Sequence, residues 1–281
     1  MTDTVLEQPT PAMRAQEAQG QPIWYELMAP DPAAVAPFYR AVGGWEIPAA
    51  GNAMPNGSEY RMIGRADGGN LGGVLTLTDG MQSSGARTEW LPYFYVDDVD
   101  AAAAKVEQLG GKVQMPATTM GDVGRMAMVT DPQGAPFYLM KPTPPADNPD
   151  GKSDVFDVRE PGHVRWNELQ TTDEPGATAF YKALFGWGTE NTMPMGDKGD
   201  YRFIESGGVQ IGAINPWMPD WMGVAWLPYL GVADIEKARD AAKANGGTIR
   251  HDVHEVPGGD FIFTASDPAG APVAFVGPKG E

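Results

Sequence analysis

The sequence predicts an α+β protein built from two tandem copies of one domain, each copy running β-α-β-β-β twice. Three observations carry this. The chain repeats itself in order: Trp24-Tyr25-Glu26-Leu27 returns as Trp166-Asn167-Glu168-Leu169, Phe38-Tyr39 as Phe180-Tyr181, and Gly44-Trp45 as Gly186-Trp187. Tyr60-Arg61 returns as Tyr201-Arg202, Trp90-Leu91-Pro92-Tyr93 as Trp226-Leu227-Pro228-Tyr229, and Asp131-Pro132 as Asp267-Pro268. The unit is about 120 residues, an ordinary domain size and far longer than a solenoid repeat. Within a copy, strand-like runs alternate with helical periods. Each first helix is announced by a capping Asp followed within two residues by Pro.

Taken in order, Ile23 to Met28 reads as a strand and Asp31-Pro32 as a helix start. Val35, Phe38, Tyr39 and Val42 then follow i, i+3, i+4, i+7 spacing, a core-facing stripe. Pro37 should bend or shorten this helix, and Gly43-Gly44 should end it. Strands are expected near Trp45–Pro48, Tyr60–Arg65 and Leu71–Leu77. The pattern restarts with a strand at Leu91–Val96 and a helix at Val99–Leu109, stopped by Gly110-Gly111. Strands near Val113, Arg125–Thr130 and Pro136–Met140 complete the copy. Residues 1–21 read as a disordered tail, 22–142 as the first domain, 143–161 as a linker rich in Pro and Asp, and 162–281 as the second domain.

Composition narrows the chemistry. With 20 Lys and Arg against 37 Asp and Glu, the net charge is −17, which opposes binding to nucleic acid or an anionic membrane. No apolar run approaches the roughly 20 residues of a membrane helix. The absence of Cys removes disulfides, thiolate ligands and Cys nucleophiles, and only His163, His251 and His254 are available for imidazole chemistry. The N-terminus lacks the basic start and apolar stretch of a secretory signal, so a cytoplasmic protein is expected.

The strand-Asp-helix opening with Phe-Tyr-Arg or Phe-Tyr-Lys, the Val96–Ala102 stretch VDDVDAA and the Asp131–Met140 stretch DPQGAPFYLM resemble the vicinal oxygen chelate superfamily of glyoxalases, bleomycin-resistance proteins and extradiol dioxygenases. The W-x-E-L opening and paired Gly-Trp motifs look like its tandem two-domain CFP30B-like branch. The resemblance implies that each domain curls its two units into a U-shaped half-barrel cup, with ligands or a metal inside. In that family two His and a Glu usually hold the metal. The matching positions here are Trp24 and Trp166, Leu91 and Leu227, and Tyr138 and Ala274, so no metal or other cofactor is expected.

Alternation along the strands puts Glu26 with Trp24 and Met28, and Tyr93 with Leu91 and Tyr95, on the inner face of the first cup. Tyr138, Pro136 and Met140 join them. The second cup receives Trp166, Glu168, Leu227, Tyr229, Ala274 and Val276. A carboxylate in an apolar cup suits acid–base work. Glu26 and Glu168 are therefore candidate catalytic groups, with Tyr93 and Tyr229 as oxyanion donors. Arg61 and Arg202 could instead pair with the two Glu residues and make them structural, or help hold substrate. Trp24, Trp166, Tyr95 and Tyr138 are candidate ligand contacts. Pro216–Met222, with Trp217 and Trp221, reads as a flap over the second cup, a contact between cups, or a surface loop. His251-Asp252-Val253-His254-Glu255 departs from the HExxH metal motif and reads as an exposed polar loop.

Two functions fit. One is an enzyme of lyase or isomerase type acting on a small carbonyl or aromatic molecule without a metal. The other is a non-catalytic protein that sequesters such a molecule. The tandem copies are expected to mimic a dimer within one chain, leaving further pairing into a homodimer open.

Overall fold

The computed structural model describes residues 17–54, 57–144, 148, 151–216 and 219–280. It is α+β, with two eight-stranded mixed sheets of identical topology. The first domain holds β1 (Pro22–Ala29), α1 (Pro32–Gly43), β2 (Asn52–Ala53), β3 (Glu59–Gly64), β4 (Asn70–Thr76), α2 (Asp79–Ser83), β5 (Glu89–Tyr95), α3 (Val99–Gln108), β6 (Lys112–Met120), β7 (Gly124–Thr130) and β8 (Pro136–Pro142). The second holds β9 (Val164–Gln170), α4 (Glu174–Phe185), β10 (Thr192–Pro194), β11 (Asp200–Ser206), β12 (Val209–Asn215), β13 (Ala225–Gly231), α5 (Ile235–Ala244), β14 (Thr248–Glu255), β15 (Phe261–Ser266) and β16 (Pro272–Gly277). The strand orders are β2-β3-β4-β1-β5-β8-β7-β6 and β10-β11-β12-β9-β13-β16-β15-β14.

The caps form as their residues dictate. Asp31 and Asp173 accept from backbone N–H groups of the first turns of α1 and α4. Gly44 and Gly186 close the same helices in the left-handed region, both at φ 74°, where a side chain would be strained. Helix α1 runs on through Pro37 to Gly43 without shortening. The expected strand at Trp45–Pro48 is replaced by a single bridge from Glu46 to Gly64, and β2 lies further on. The expected loop at His251–Glu255 is part of β14, an edge strand whose pairing slips twice, so the polar residues stay at the sheet margin.

The two domains stand back to back and share one core. Phe94 of β5 packs on Phe185, Trp187 and Trp226, while Phe38 and Trp45 pack on Phe275. Both Gly-Trp indoles, Trp45 and Trp187, are buried there. Polar contacts across the seam are reciprocal. The Tyr39 hydroxyl donates to Asp267 Oδ2 at 2.9 Å and accepts from Trp90 Nε1 at 3.0 Å. Tyr181 donates to Asp131 Oδ2 at 3.2 Å and accepts from Trp226 Nε1 at 3.2 Å. Trp45 Nε1 donates to the Gly162 carbonyl and Trp187 Nε1 to that of Gly20.

Segments outside the sheets join this seam. The Gln19 carbonyl accepts from Ser206, and Gly20 N–H bonds the Tyr95 carbonyl. In the expected linker, Val155 and Phe156 are buried and Asp154 pairs with Arg65 at 2.5 Å. Residues 1–16 of the expected tail, and 145–147 and 149–150 of the linker, lie outside the described residues. No helix among the described residues is long and apolar enough to cross a membrane.

Replacing Tyr181 with Phe strips a donor from buried Asp131 and an acceptor from buried Trp226. The expected loss is about 1–3 kcal/mol of unfolding free energy, read by urea denaturation.

Candidate functional site

The faces turned away from the shared core form two separate apolar clusters, one per domain. In the first, Met54 beside β2 and Met115 and Met120 on β6 join the same cluster as Leu91, Tyr93 and Tyr138. These strands lie at opposite ends of the sheet, so the sheet must curl around them. This is the cup expected from the sequence, and alternation places its lining correctly. Trp24, Met28, Leu91, Tyr93, Tyr95, Tyr138 and Met140 belong to it. In the second cup, Trp166, Leu227, Tyr229, Ala274 and Val276 cluster with Trp221, Met222 and Ile262.

Glu26 sits at the floor of the first cup with 2% of its surface exposed. Its Oε2 accepts from Tyr93 at 2.8 Å and its Oε1 from Tyr138 at 3.3 Å. Those two rings are stacked, 4.1 Å between centroids, because β5 and β8 run parallel with Tyr93 and Tyr138 in register. Burial pushes the Glu26 carboxyl up to about 7, outweighing the two phenol hydrogen bonds that pull it down. The same burial, with the Glu26 charge nearby, holds Tyr60, Tyr93 and Tyr138 protonated.

Tyr60 is a cup residue that the sequence left in the shadow of its neighbour Arg61. Arg61 shares its strand face with Ile63, which is fully buried in the shared core, so Tyr60 takes the cup face. The same parity with Ile204 turns Arg202 outward and Tyr201 inward. The expected Glu–Arg pairs therefore do not form: Arg61 Nε binds Glu59 at 2.5 Å, and Arg202 pairs with Glu174. Neither arginine contacts Glu26 or Glu168. The Tyr60 ring lies over Gly73, where any Cβ would come within 2.3 Å of it. Its hydroxyl accepts from Trp24 Nε1 at 2.7 Å, and its own proton has no acceptor among the described residues.

The second cup repeats the indole–phenol contact, with Trp166 Nε1 donating to Tyr201 at 2.9 Å. Its carboxylate is held differently. Glu168 accepts from Tyr201 at 2.6 Å, Asn215 Nδ2 at 3.2 Å, Gln170 Nε2 and Tyr229. Burial still raises its pKa, against all four donors. Gln170 and Asn215 went unnoticed in the sequence because they replace Met28 and Leu75, breaking the repeat that drew attention elsewhere.

The remaining candidates are peripheral. Tyr95 closes the edge of the first cup, its hydroxyl on Asp97 at 2.9 Å and away from Glu26. Met81 of α2, a helix not foreseen from sequence, packs on the same cup. Trp221 and Met222 of the expected flap pack on the second cup, and Trp217 lies outside the described residues. The His251 ring stands edge-on to Trp221 with centroids 6.2 Å apart and its Nδ1 3.0 Å from Thr264 Oγ1.

A metal does not fit the family's usual positions in either cup. Trp24, Leu91, Trp166, Leu227 and Ala274 offer no ligand atom, and Tyr138 spends its proton on Glu26. Among the described residues no three His, Cys, Asp or Glu side chains gather.

The profile of the Glyoxalase/Bleomycin resistance protein/Dioxygenase superfamily matches residues 21–139 and 160–275. The chain is 33% identical over 261 residues to "Putative glyoxylase CFP32" of Mycobacterium bovis, covering 92% of this chain and 95% of that one. It is 28% identical over 254 residues to "Anthracycline biosynthesis protein DauV" of Streptomyces sp. (strain C5), covering 86% and 88%. Among solved structures, a Mn(II)-bound glyoxalase from Novosphingobium aromaticivorans shares the fold at TM-score 0.62 and 15% identity, covering 95% of this chain and 84% of that one. A variant of homoprotocatechuate 2,3-dioxygenase from B. fuscum does so at 0.61 and 17%, covering 98% and 75%.

A carboxyl at about 7 in the fold and 4.5 when unfolded binds its proton more tightly folded. Its contribution therefore favours folding at low pH and is lost as pH rises from about 4.5 through about 7. Glu26→Gln, neutral throughout, should gain on the unsubstituted protein between pH 5 and 8, by up to about 3 kcal/mol in urea titrations.

Proposed function

Because the chain belongs to the Glyoxalase/Bleomycin resistance protein/Dioxygenase superfamily, we propose that its first cup performs metal-independent acid–base catalysis on a small carbonyl or aromatic-carbonyl molecule. The observation that carries this is a buried carboxyl raised to about 7 beside a phenol with an unspent proton. A base is most effective when its pKa lies near the working pH. Ionised Glu26 takes a proton from the carbon next to the carbonyl. The electron pair moves to the carbonyl oxygen, where Tyr60, polarised by the Trp24 N–H at its own oxygen, donates a hydrogen bond. Tyr93 and Tyr138 hold Glu26 in place. Protonated Glu26 then returns the proton to another carbon of the enolate, completing an isomerisation, or to a leaving group as its bond to the β-carbon breaks and the electron pair returns from the enolate oxygen, completing an elimination.

Met54 and Met81 at the rim are adaptable side chains that can move aside for entry. The likeness to a protein named for anthracycline biosynthesis supports an aromatic carbonyl as the substrate class.

For the second cup the structure favours the non-catalytic alternative. Glu168 is committed to four donors, so taking up a proton would break an established contact.

The test is hydrogen–deuterium exchange at the α-carbon of α-tetralone, followed by NMR in D2O. Exchange should rise with pH to a plateau above about 7, where Glu26 is ionised. Glu26→Gln should abolish it, and Tyr60→Phe should slow it by roughly 10²–10³-fold, the usual cost of one oxyanion donor. Equal exchange by Glu26→Gln and the unsubstituted protein would end this reading.

A further inference from the structure

The second cup keeps two buried polar atoms that nothing among the described residues satisfies. Gln170, with 2% of its surface exposed, gives its Nε2 to Glu168 and leaves its Oε1 without a donor. Trp221, packed on the cup cluster, buries an Nε1–H without an acceptor. Buried groups in this condition are few in any fold, and each calls for an explanation.

These groups belong to this cup and not to the fold. Strand register places Met28 and Leu75 in the first cup where the second has Gln170 and Asn215. It also places Ala274 where the first cup has Tyr138, which removes a whole ring from the wall. The second cup has thus lost the Tyr138 ring, packs the Trp221 indole on its cluster instead, and has gained an amide pair. Glu168 cannot act as a counter-ion for a cation without giving up its present donors, and an anion would meet its charge.

We infer that the second cup is a binding site for a neutral planar molecule bearing an N–H or O–H donor beside a carbonyl, as in a lactam, an imide or a hydroxy-ketone. The donor goes to Gln170 Oε1, the carbonyl accepts from Trp221 Nε1, and the flat ring lies against Ala274, where the first cup carries the Tyr138 ring. This deepens the binding reading of the second cup and is independent of proton transfer at Glu26. Failure of either leaves the other standing, because one is read by exchange and the other by affinity.

The probe is 2-quinolone, with N-methyl-2-quinolone as the partner that keeps the carbonyl and lacks the donor. Isothermal titration of the full chain should show 2-quinolone binding at least about tenfold more tightly, the worth of one buried hydrogen bond plus the penalty of leaving Gln170 unpaired. Gln170→Met, which installs the first cup's own residue, should erase that preference. Trp221→Phe, which removes only the indole N–H and its small ring, should weaken both compounds and serves if the first variant does not fold. Equal affinity for the two compounds, no binding of either in the millimolar range, or a preference that survives Gln170→Met would overturn the inference.

Discussion

The structure depends on the seam between its two domains, and the seam depends on buried aspartates capped by tyrosines of the opposite domain. Asp131 Oδ1 gathers the backbone N–H groups of Gln133, Gly134 and Ala135 at 2.7–3.0 Å, and its other oxygen receives Tyr181. Asp267 repeats the arrangement with Ala269, Ala271 and Tyr39. Each aspartate thus fixes its own turn and takes a hydrogen bond from the neighbouring domain. Around these points Phe38, Phe94, Phe137, Tyr181 and Trp226 fuse into one core. A carboxylate buried this deeply is tolerated only while every oxygen is bonded, so the seam tolerates little change on either side.

With the backs fixed, the open faces are free to diverge, and they have. Both retain an indole, a phenol and a carboxylate in the same register. The first surrounds its carboxyl with methionine and leucine and gives it two donors. The second surrounds it with amides and gives it four. The same residue type is thereby held near neutrality in one basin and committed to its neighbours in the other, an effect of environment and not of the glutamate itself.

The duplication was legible because whole words of sequence recur, and the cup-facing residues because a strand alternates with period two. Glu26, Tyr93 and Tyr138 share the inner face as alternation predicts once the family resemblance fixes which residue of each strand faces in; their meeting is set by strand order and register. Arg61 and Arg202 misled because charge was weighed ahead of parity: counting on to Ile63 and Ile204 would have turned them outward and brought Tyr60 and Tyr201 in. The edge strand β14 read as a loop because His251, Asp252, His254 and Glu255 carry no apolar alternation. A strand at a sheet margin needs little, since one of its edges meets solvent. Gln170 and Asn215 were invisible for a different reason. A search built on what the copies share overlooks the places where only one copy has changed.

One contact gives the tandem arrangement a further meaning. The Tyr25 hydroxyl donates to Asn167 Oδ1 at 2.9 Å, and these two residues hold the same position in the two copies. A residue and its own counterpart can meet this way only where the symmetry relating the copies passes between them. An assembly of two identical subunits would have to set tyrosine against tyrosine or asparagine against asparagine there. Fusion into a single polypeptide lifts that requirement, and the unlike pair records an association that two free, identical halves could not make.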